Sequence, residues 1–221
     1  MALNRLYFIT MDEVVTGPLD GISTGPLEQV GAACRAGIRL IQLRMKEASD
    51  EEFEKTAREA KKICGAWGAR LIINDRVEVA AAVDADGVHV GREDRSVREA
   101  RQLLGEGKIV GGTANRLEDI REHYQGGADY IGLGPYRHTT TKKNLSPILG
   151  LGGYQQVMRA LMKEGIEIPV MAIGGIGLAD VAPLLEAGVY GVAFSGLLVQ
   201  AADRARLVKT LEKEIETILL C

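Results

Sequence analysis

Gly127-Ala128-Asp129-Tyr130-Ile131-Gly132 decides the fold, because its pattern returns three more times along the chain. Small residues close a helix-period stretch, and a short apolar strand follows at once. The other copies are Ala36-Gly37-Ile38-Arg39-Leu40-Ile41, Asp84-Ala85-Asp86-Gly87-Val88-His89 and Ala187-Gly188-Val189-Tyr190-Gly191-Val192. They mark the second, fourth, sixth and eighth of eight expected strands, a fourfold βαβα repeat. Gly-rich turns look alike in any α/β protein, but an open doubly wound sheet needs no such echo.

Outward from these segments, short apolar runs predict strands at 6–10, 38–44, 69–74, 86–90, 108–112, 129–133, 168–173 and 190–195. Helical periodicity falls between them, near 26–36, 49–66, 76–83, 96–104, 116–125, 153–164, 178–187 and 203–219. Strict alternation argues for a parallel sheet covered by helices. The fold class is therefore α/β, a (β/α)8 TIM barrel, expected as a single domain over 1–221. A length of 221 residues lies near the lower end for that architecture.

Composition narrows the function. Hydrophobic residues at 46% and charged residues at 26% are incompatible with a disordered chain. Runs such as Leu71-Ile72-Ile73 are far too short to span a bilayer, so no membrane partner is expected. With 27 Lys and Arg against 30 Asp and Glu, the net charge is −3, which disfavours nucleic acid as a partner. The start of the chain runs into the first strand without a signal-peptide pattern. Cys34, Cys64 and Cys221 form no C-x-x-C pair and read as reduced thiols, so a cytoplasmic location is expected. Small-molecule substrates are the expected partners, and self-association into a homo-oligomer stays open.

Barrel active sites lie at the C-terminal ends of the strands. Those ends carry Gln42-Leu43-Arg44-Met45-Lys46, Asn74-Asp75-Arg76, Gly91-Arg92-Glu93-Asp94, Gly111-Gly112-Thr113-Ala114-Asn115, a long loop from Gly134 to Gly150, Gly174-Gly175-Ile176 and Ser195-Gly196. Polar, charged and glycine residues gather where the fold would use them. Gly174-Gly175 permits close approach to an anion or makes a tight turn. Ser195-Gly196 opens a short helical run whose first N–H groups suit a phosphate. Arg44, Lys46 and Lys142 come from separate loops and are either solvated or grip phosphate oxygens. Asp75 and Asp94 are a candidate pair for a hard cation such as Mg²⁺. The competing expectation pairs Asp75 with Arg76 and has Asp94 cap the helix near 96. Strand alternation puts His89 on the face opposite Val88 and Val90, as a structural residue or a ligand. His123 reads as a solvated helix residue. No Ser/His/Asp arrangement emerges, so catalysis is expected to be electrostatic, not nucleophilic.

From Leu6 to about Leu198 the sequence resembles thiamine-phosphate synthases. The resemblance is carried by Gln42-Leu43-Arg44-Met45-Lys46, Ile73-Asn74-Asp75-Arg76, Asp86-Gly87-Val88-His89-Val90-Gly91-Arg92-Glu93-Asp94, Gly132-Leu133-Gly134-Pro135, Thr139-Thr140-Thr141-Lys142 and Ala172-Ile173-Gly174-Gly175-Ile176. It implies a transferase that joins an aminopyrimidine methyl diphosphate to a thiazole phosphate, or to its carboxylated form, with loss of diphosphate through a pyrimidine methylene cation. It further implies that Gln42, Arg44, Lys46, Asn74, Thr113 and Lys142 hold the pyrimidine diphosphate, with Arg44, Lys46 and Lys142 as the catalytic cations. Thr139, Thr141, Gly175, Ser195 and Gly196 would hold the thiazole phosphate, and Asp75 and Asp94 would hold Mg²⁺. Three departures stand out. Asn115 replaces a frequent His, Arg92 a frequent Gln, and Tyr136-Arg137-His138 a more apolar stretch. A thiazole tautomerase and a non-catalytic phosphometabolite-binding barrel are the rival readings. The first shares the phosphate cup but needs no diphosphate-leaving machinery.

Overall fold

Strand residues here are buried on both faces, as a parallel sheet wrapped in helices requires. The computed structural model describes residues 3–12, 15–16, 23–138 and 147–220. Eight strands close into a barrel: β1 Leu6–Ile9, β2 Leu40–Leu43, β3 Arg70–Asn74, β4 Gly87–Val90, β5 Ile109–Ala114, β6 Tyr130–Leu133, β7 Val170–Ala172 and β8 Gly191–Phe194. All eight expected strands are present, each boundary within two residues of its expected place. Every strand pairs in parallel with the next, and Leu6 opposite Val192 joins β1 to β8.

The helices are α1 Pro26–Ala36, α2 Asp50–Ala66, α3 Val77–Ala82, α4 Val97–Leu104, α5 Leu117–Gln125, α6 Gly150–Glu164, α7 Val181–Glu186, α8 Gly196–Val199 and α9 Arg204–Leu219. Their ends follow local chemistry. Pro26 starts α1, and Gly37 at φ 109° stops it. Ser49 caps α2 through the Glu52 N–H, ahead of Asp50, Glu51 and Glu52, whose charges favour a helix N-terminus. Ser96 and Glu99 form a reciprocal capping box on α4.

Two features differ from expectation. The stretch expected as one helix over 178–187 is a 3₁₀ turn, Leu178–Asp180, followed by α7. The Asp180 carboxylate takes the Gly177 N–H at 2.7 Å and tightens that first turn. Between β1 and α1, Val15–Thr16 and Ser23–Thr24 pair as a small antiparallel ribbon that the strand pattern does not predict.

Alternation along each strand sorts side chains into two cores. Phe8, Ile41, Leu43, Ile73, Val88, Val90, Ile131 and Val192 pack outward beneath the helices. Tyr7, Leu40, Ile72, Tyr130, Met171 and Ala193 fill the barrel interior. Towards the C-terminal strand ends the interior turns polar, with Gln42, Asn74 and His89 buried. The fold thus delivers a polar layer to the mouth of an apolar plug.

Candidate active site

The ends of β1 and β2 build the cationic part of the site. Buried Thr10 accepts the Arg44 N–H at 2.9 Å and donates its hydroxyl to the Arg44 carbonyl at 3.2 Å. Asp12 then takes the Arg44 guanidinium at 2.6 Å and the Lys46 backbone N–H at 3.3 Å. Arg44 is only 8% exposed, so the reading of it as a solvated surface charge is excluded. An ion pair at that depth fixes the fork of the guanidinium and not only its charge. Asp12 is not among the expected site residues, although it follows a barrel strand as they do. Thr10-Met11-Asp12 carries the same polar signal.

Beside it, the loops after β3 and β4 bring two carboxylates together. Asp75 sits at φ 63°, a left-handed conformation that Asp and Asn tolerate better than other non-glycine residues. That backbone turns its N–H to the His89 carbonyl at 2.8 Å. Lys46 Nζ lies 3.0 Å from Asp75 Oδ2. Burial and hydrogen-bond contact with the Asp75 carboxylate push the Asp94 carboxyl up from the usual range. The two bland expectations fail here. Asp75 pairs with Lys46 and not with Arg76, which reaches Asp50 at 2.8 Å and the Ala48 carbonyl at 2.5 Å. Asp94 does not cap α4, since Ser96 does. Asp94 instead takes the Gly91 N–H at 2.7 Å. Two crowded oxygen donors are a donor set for a hard divalent cation. Among the described residues no third His, Cys, Asp or Glu joins them, so further ligands would be substrate oxygens or water.

A cleft of about 550 Å³ opens at this point, lined by Met45, Lys46, Asn74, Asp75 and Asp94 and continuing towards Phe53 and Arg76. Gln42 and Thr113 lie inside the barrel. Gln42 Nε2 donates to the Tyr7 hydroxyl at 2.6 Å, and Thr113 Oγ1 is 2.9 Å from His89 Nε2. His89 therefore faces inward, as alternation predicts. His123 corrects the expectation of a solvated residue. It is half-buried over Gly112, with Nε2 2.9 Å from the Thr113 carbonyl.

On the far side, Gly175 stands at φ 72° after β7, and a Cβ there would meet Arg137 Cγ at 2.5 Å. The tight-turn reading of Gly174-Gly175 thus has a structural basis of its own. Ser195 and Gly196 follow β8, the strand next to β7, and open α8. Arg137 pairs with Asp180 at 2.6 Å, and Asn115 Nδ2 donates to the Gly134 carbonyl. Thr139, Thr141 and Lys142 lie outside the described residues.

A family model described as thiamine monophosphate synthase matches residues 6–198. The chain belongs to that family. It is 52% identical over 177 residues to the thiamine-phosphate synthase of Bacteroides fragilis, covering 80% of this chain and 87% of that protein. It is 43% identical over 212 residues to the thiamine-phosphate synthase of Flavobacterium johnsoniae, covering 96% of each. Among solved structures, thiamine phosphate pyrophosphorylase from Pyrococcus furiosus superposes with a TM-score of 0.80 at 31% identity, covering 97% of this chain and 96% of that one. No helix among the described residues is long and apolar enough to cross a membrane.

Proposed function

We propose that the barrel mouth is the active site of a thiamine-phosphate synthase, a transferase acting on an aminopyrimidine methyl diphosphate and a thiazole phosphate. The observation that carries this reading is the cluster at the ends of β1 to β4. There Arg44 is locked by Asp12, and Lys46 reaches Asp75, whose carboxylate crowds that of Asp94. Such a cluster suits a leaving diphosphate better than any nucleophilic chemistry.

In this reading the bond from the pyrimidine methylene carbon to the diphosphate oxygen breaks first, and its electron pair leaves with diphosphate. The aminopyrimidine ring stabilises the methylene cation. The thiazole nitrogen then gives its lone pair to that carbon, forming the C–N bond of thiamine phosphate. Where the thiazole partner is carboxylated, CO₂ is lost. Arg44 and Lys46 stabilise negative charge as it gathers on the leaving group, and the barrel holds the two partners in line. Gln42, Asn74 and Thr113 hold the pyrimidine. Asp75 and Asp94 are the residues that would hold Mg²⁺, whose chemistry is charge neutralisation on the diphosphate. Gly175, Ser195 and Gly196 hold the thiazole phosphate. Lys142, Thr139 and Thr141 are assigned to the diphosphate and the thiazole phosphate on the family resemblance. A cytoplasmic setting fits substrates of this class.

The test is turnover with both substrates and Mg²⁺. Thiamine phosphate and diphosphate are expected in equal amounts. Binding of the phosphates without product would point to a sensor, and proton exchange on the thiazole without condensation to a tautomerase. Either result overturns the proposal.

A further inference from the structure

Across the barrel interior runs a continuous line of five side chains. Gln42 Nε2 donates to the Tyr7 hydroxyl at 2.6 Å, Tyr7 meets the Tyr130 hydroxyl at 2.8 Å, and Tyr130 meets His89 Nδ1 at 2.9 Å. His89 Nε2 meets Thr113 Oγ1 at 2.9 Å. Tyr7 and Tyr130 are fully buried, Gln42 and His89 nearly so, and only half-buried Thr113 approaches the mouth. The fold makes room for this line on purpose. A Cβ at Gly111 would lie 2.1 Å from the Tyr130 ring, and one at Gly132 2.9 Å from the His89 ring. Those two rings stack at 5.4 Å.

We propose that Tyr7, Tyr130 and His89 are positioning residues that set the direction of hydrogen bonding at both ends of the line, leaving Gln42 to accept from an exocyclic amino group and Thr113 to donate to a ring nitrogen. The proposal rests on the substrate reading above. Its logic starts from Gln42, whose amide nitrogen only donates. The Tyr7 oxygen accepts there, so its proton goes to Tyr130. Tyr130 then donates to Nδ1, which places the imidazole proton on Nε2. Thr113 accepts that proton, and its own hydroxyl hydrogen points onward to a ligand. Gln42 Oε1 is the acceptor left at the opposite end. Burial pushes both phenols well above their usual range, so neither ionises and breaks the sequence of donors. Reversing every bond would give a donor at Gln42 and an acceptor at Thr113, the complement of an oxopyrimidine. The line is thus a device for choosing amino over oxo, in which the three inner residues act only through Gln42 and Thr113.

Two measurements on the full chain test it. In ¹⁵N-histidine NMR of the unliganded protein, the His89 signal, assigned by its loss in His89→Gln, is expected to show a proton on Nε2 and none on Nδ1. Kinetically, Tyr130→Phe is expected to raise the KM for the aminopyrimidine diphosphate about fivefold to tenfold, the loss from one buried hydrogen bond. The KM for thiazole phosphate should stay within about twofold. The preference for the amino substrate over its 4-oxo analogue should fall by the same factor as the pyrimidine KM rises. Tyr7→Phe cuts the line one link earlier and should act in the same direction. A proton on Nδ1 overturns the proposal, as does a Tyr130→Phe variant that melts like wild type with its preference unchanged. If the wild type makes no thiamine phosphate, the substrate reading fails, and the NMR result then decides the line's direction alone.

Discussion

Asp75 combines the carboxylate that the proposed reaction would use with a backbone conformation that few side chains accept. At φ 63° most L-residues would be strained, and Asn is the replacement that keeps the conformation while removing the charge. Asp75→Asn should therefore lower kcat by about 100-fold or more, the scale seen when one electrostatic group is removed from a transition state. Its melting temperature should stay close to wild type. Asp75→Val should lose activity and also stability, by roughly 1–3 kcal/mol, because a β-branched residue resists positive φ. Steady-state kinetics with thermal melts separate the two, and a fully active Asp75→Asn would remove Asp75 from the site. Residue types at strand ends made Arg44, Lys46, Asp75 and Asp94 legible in the sequence. Their pairings were not legible. The expected Asp75–Arg76 contact follows chain proximity. The folded loops instead bring Lys46, 29 positions away in sequence, to 3.0 Å. His123 misled for the same reason: helical periodicity gives a face, but not that Gly112 leaves a hollow beneath it.

Among the elements, α2 and the loops after β2 and β3 are joined by one side chain. Arg76 donates to Asp50 at 2.8 Å and to the Ala48 carbonyl at 2.5 Å, and its guanidinium lies 5.1 Å from the centre of the Phe53 ring. Asp50 is mostly exposed, so that ion pair contributes little. The carbonyl bond and the ring contact carry most of the clamp. Arg76→Ala should cost about 1–3 kcal/mol, read as a drop of roughly 2–12 °C in melting temperature for a domain of this size. Loosening the loop that bears Lys46 should also raise the KM for the diphosphate substrate. Arg76→Lys should recover little, because a lysine cannot make the planar fork. A variant with unchanged melting would show that the clamp is incidental. Strands were legible here because a doubly buried parallel strand is a short apolar run bounded by small residues. The ribbon Val15–Thr16 with Ser23–Thr24 was not, since two-residue strands have no period to read. The 3₁₀ turn before α7 was likewise hidden, because its cause is one carboxylate folding back on Gly177.

At the scale of the whole molecule, the sequence echo implied a closed sheet, and closure is what places the described polar strand ends around one mouth. The direction of the interior hydrogen-bond line was beyond the sequence. Alternation puts Tyr7, Gln42, His89 and Tyr130 inside without saying which meets which. The architecture also separates stability from the site. The outer core beneath the helices and the inner plug are apolar, while Asp75 and Asp94 stand on loops above them. Removing a divalent cation should therefore leave the fold intact. Addition of EDTA to the unliganded protein should not shift its melting temperature. Inorganic diphosphate with Mg²⁺ should raise it, because a ligand that binds only the native state stabilises by RT ln(1 + [L]/Kd). At a hundredfold excess over Kd that is about 2.7 kcal/mol, or roughly 5–11 °C here. EDTA, or Asp75→Asn, should remove most of this increment if Asp75 and Asp94 hold the cation, since Arg44 and Lys46 would then have to hold the diphosphate alone. An equal increment in EDTA would mean that the basic side chains alone bind diphosphate. A fall in melting temperature on adding EDTA to the unliganded chain would mean that the cation belongs to the fold instead of to the reaction.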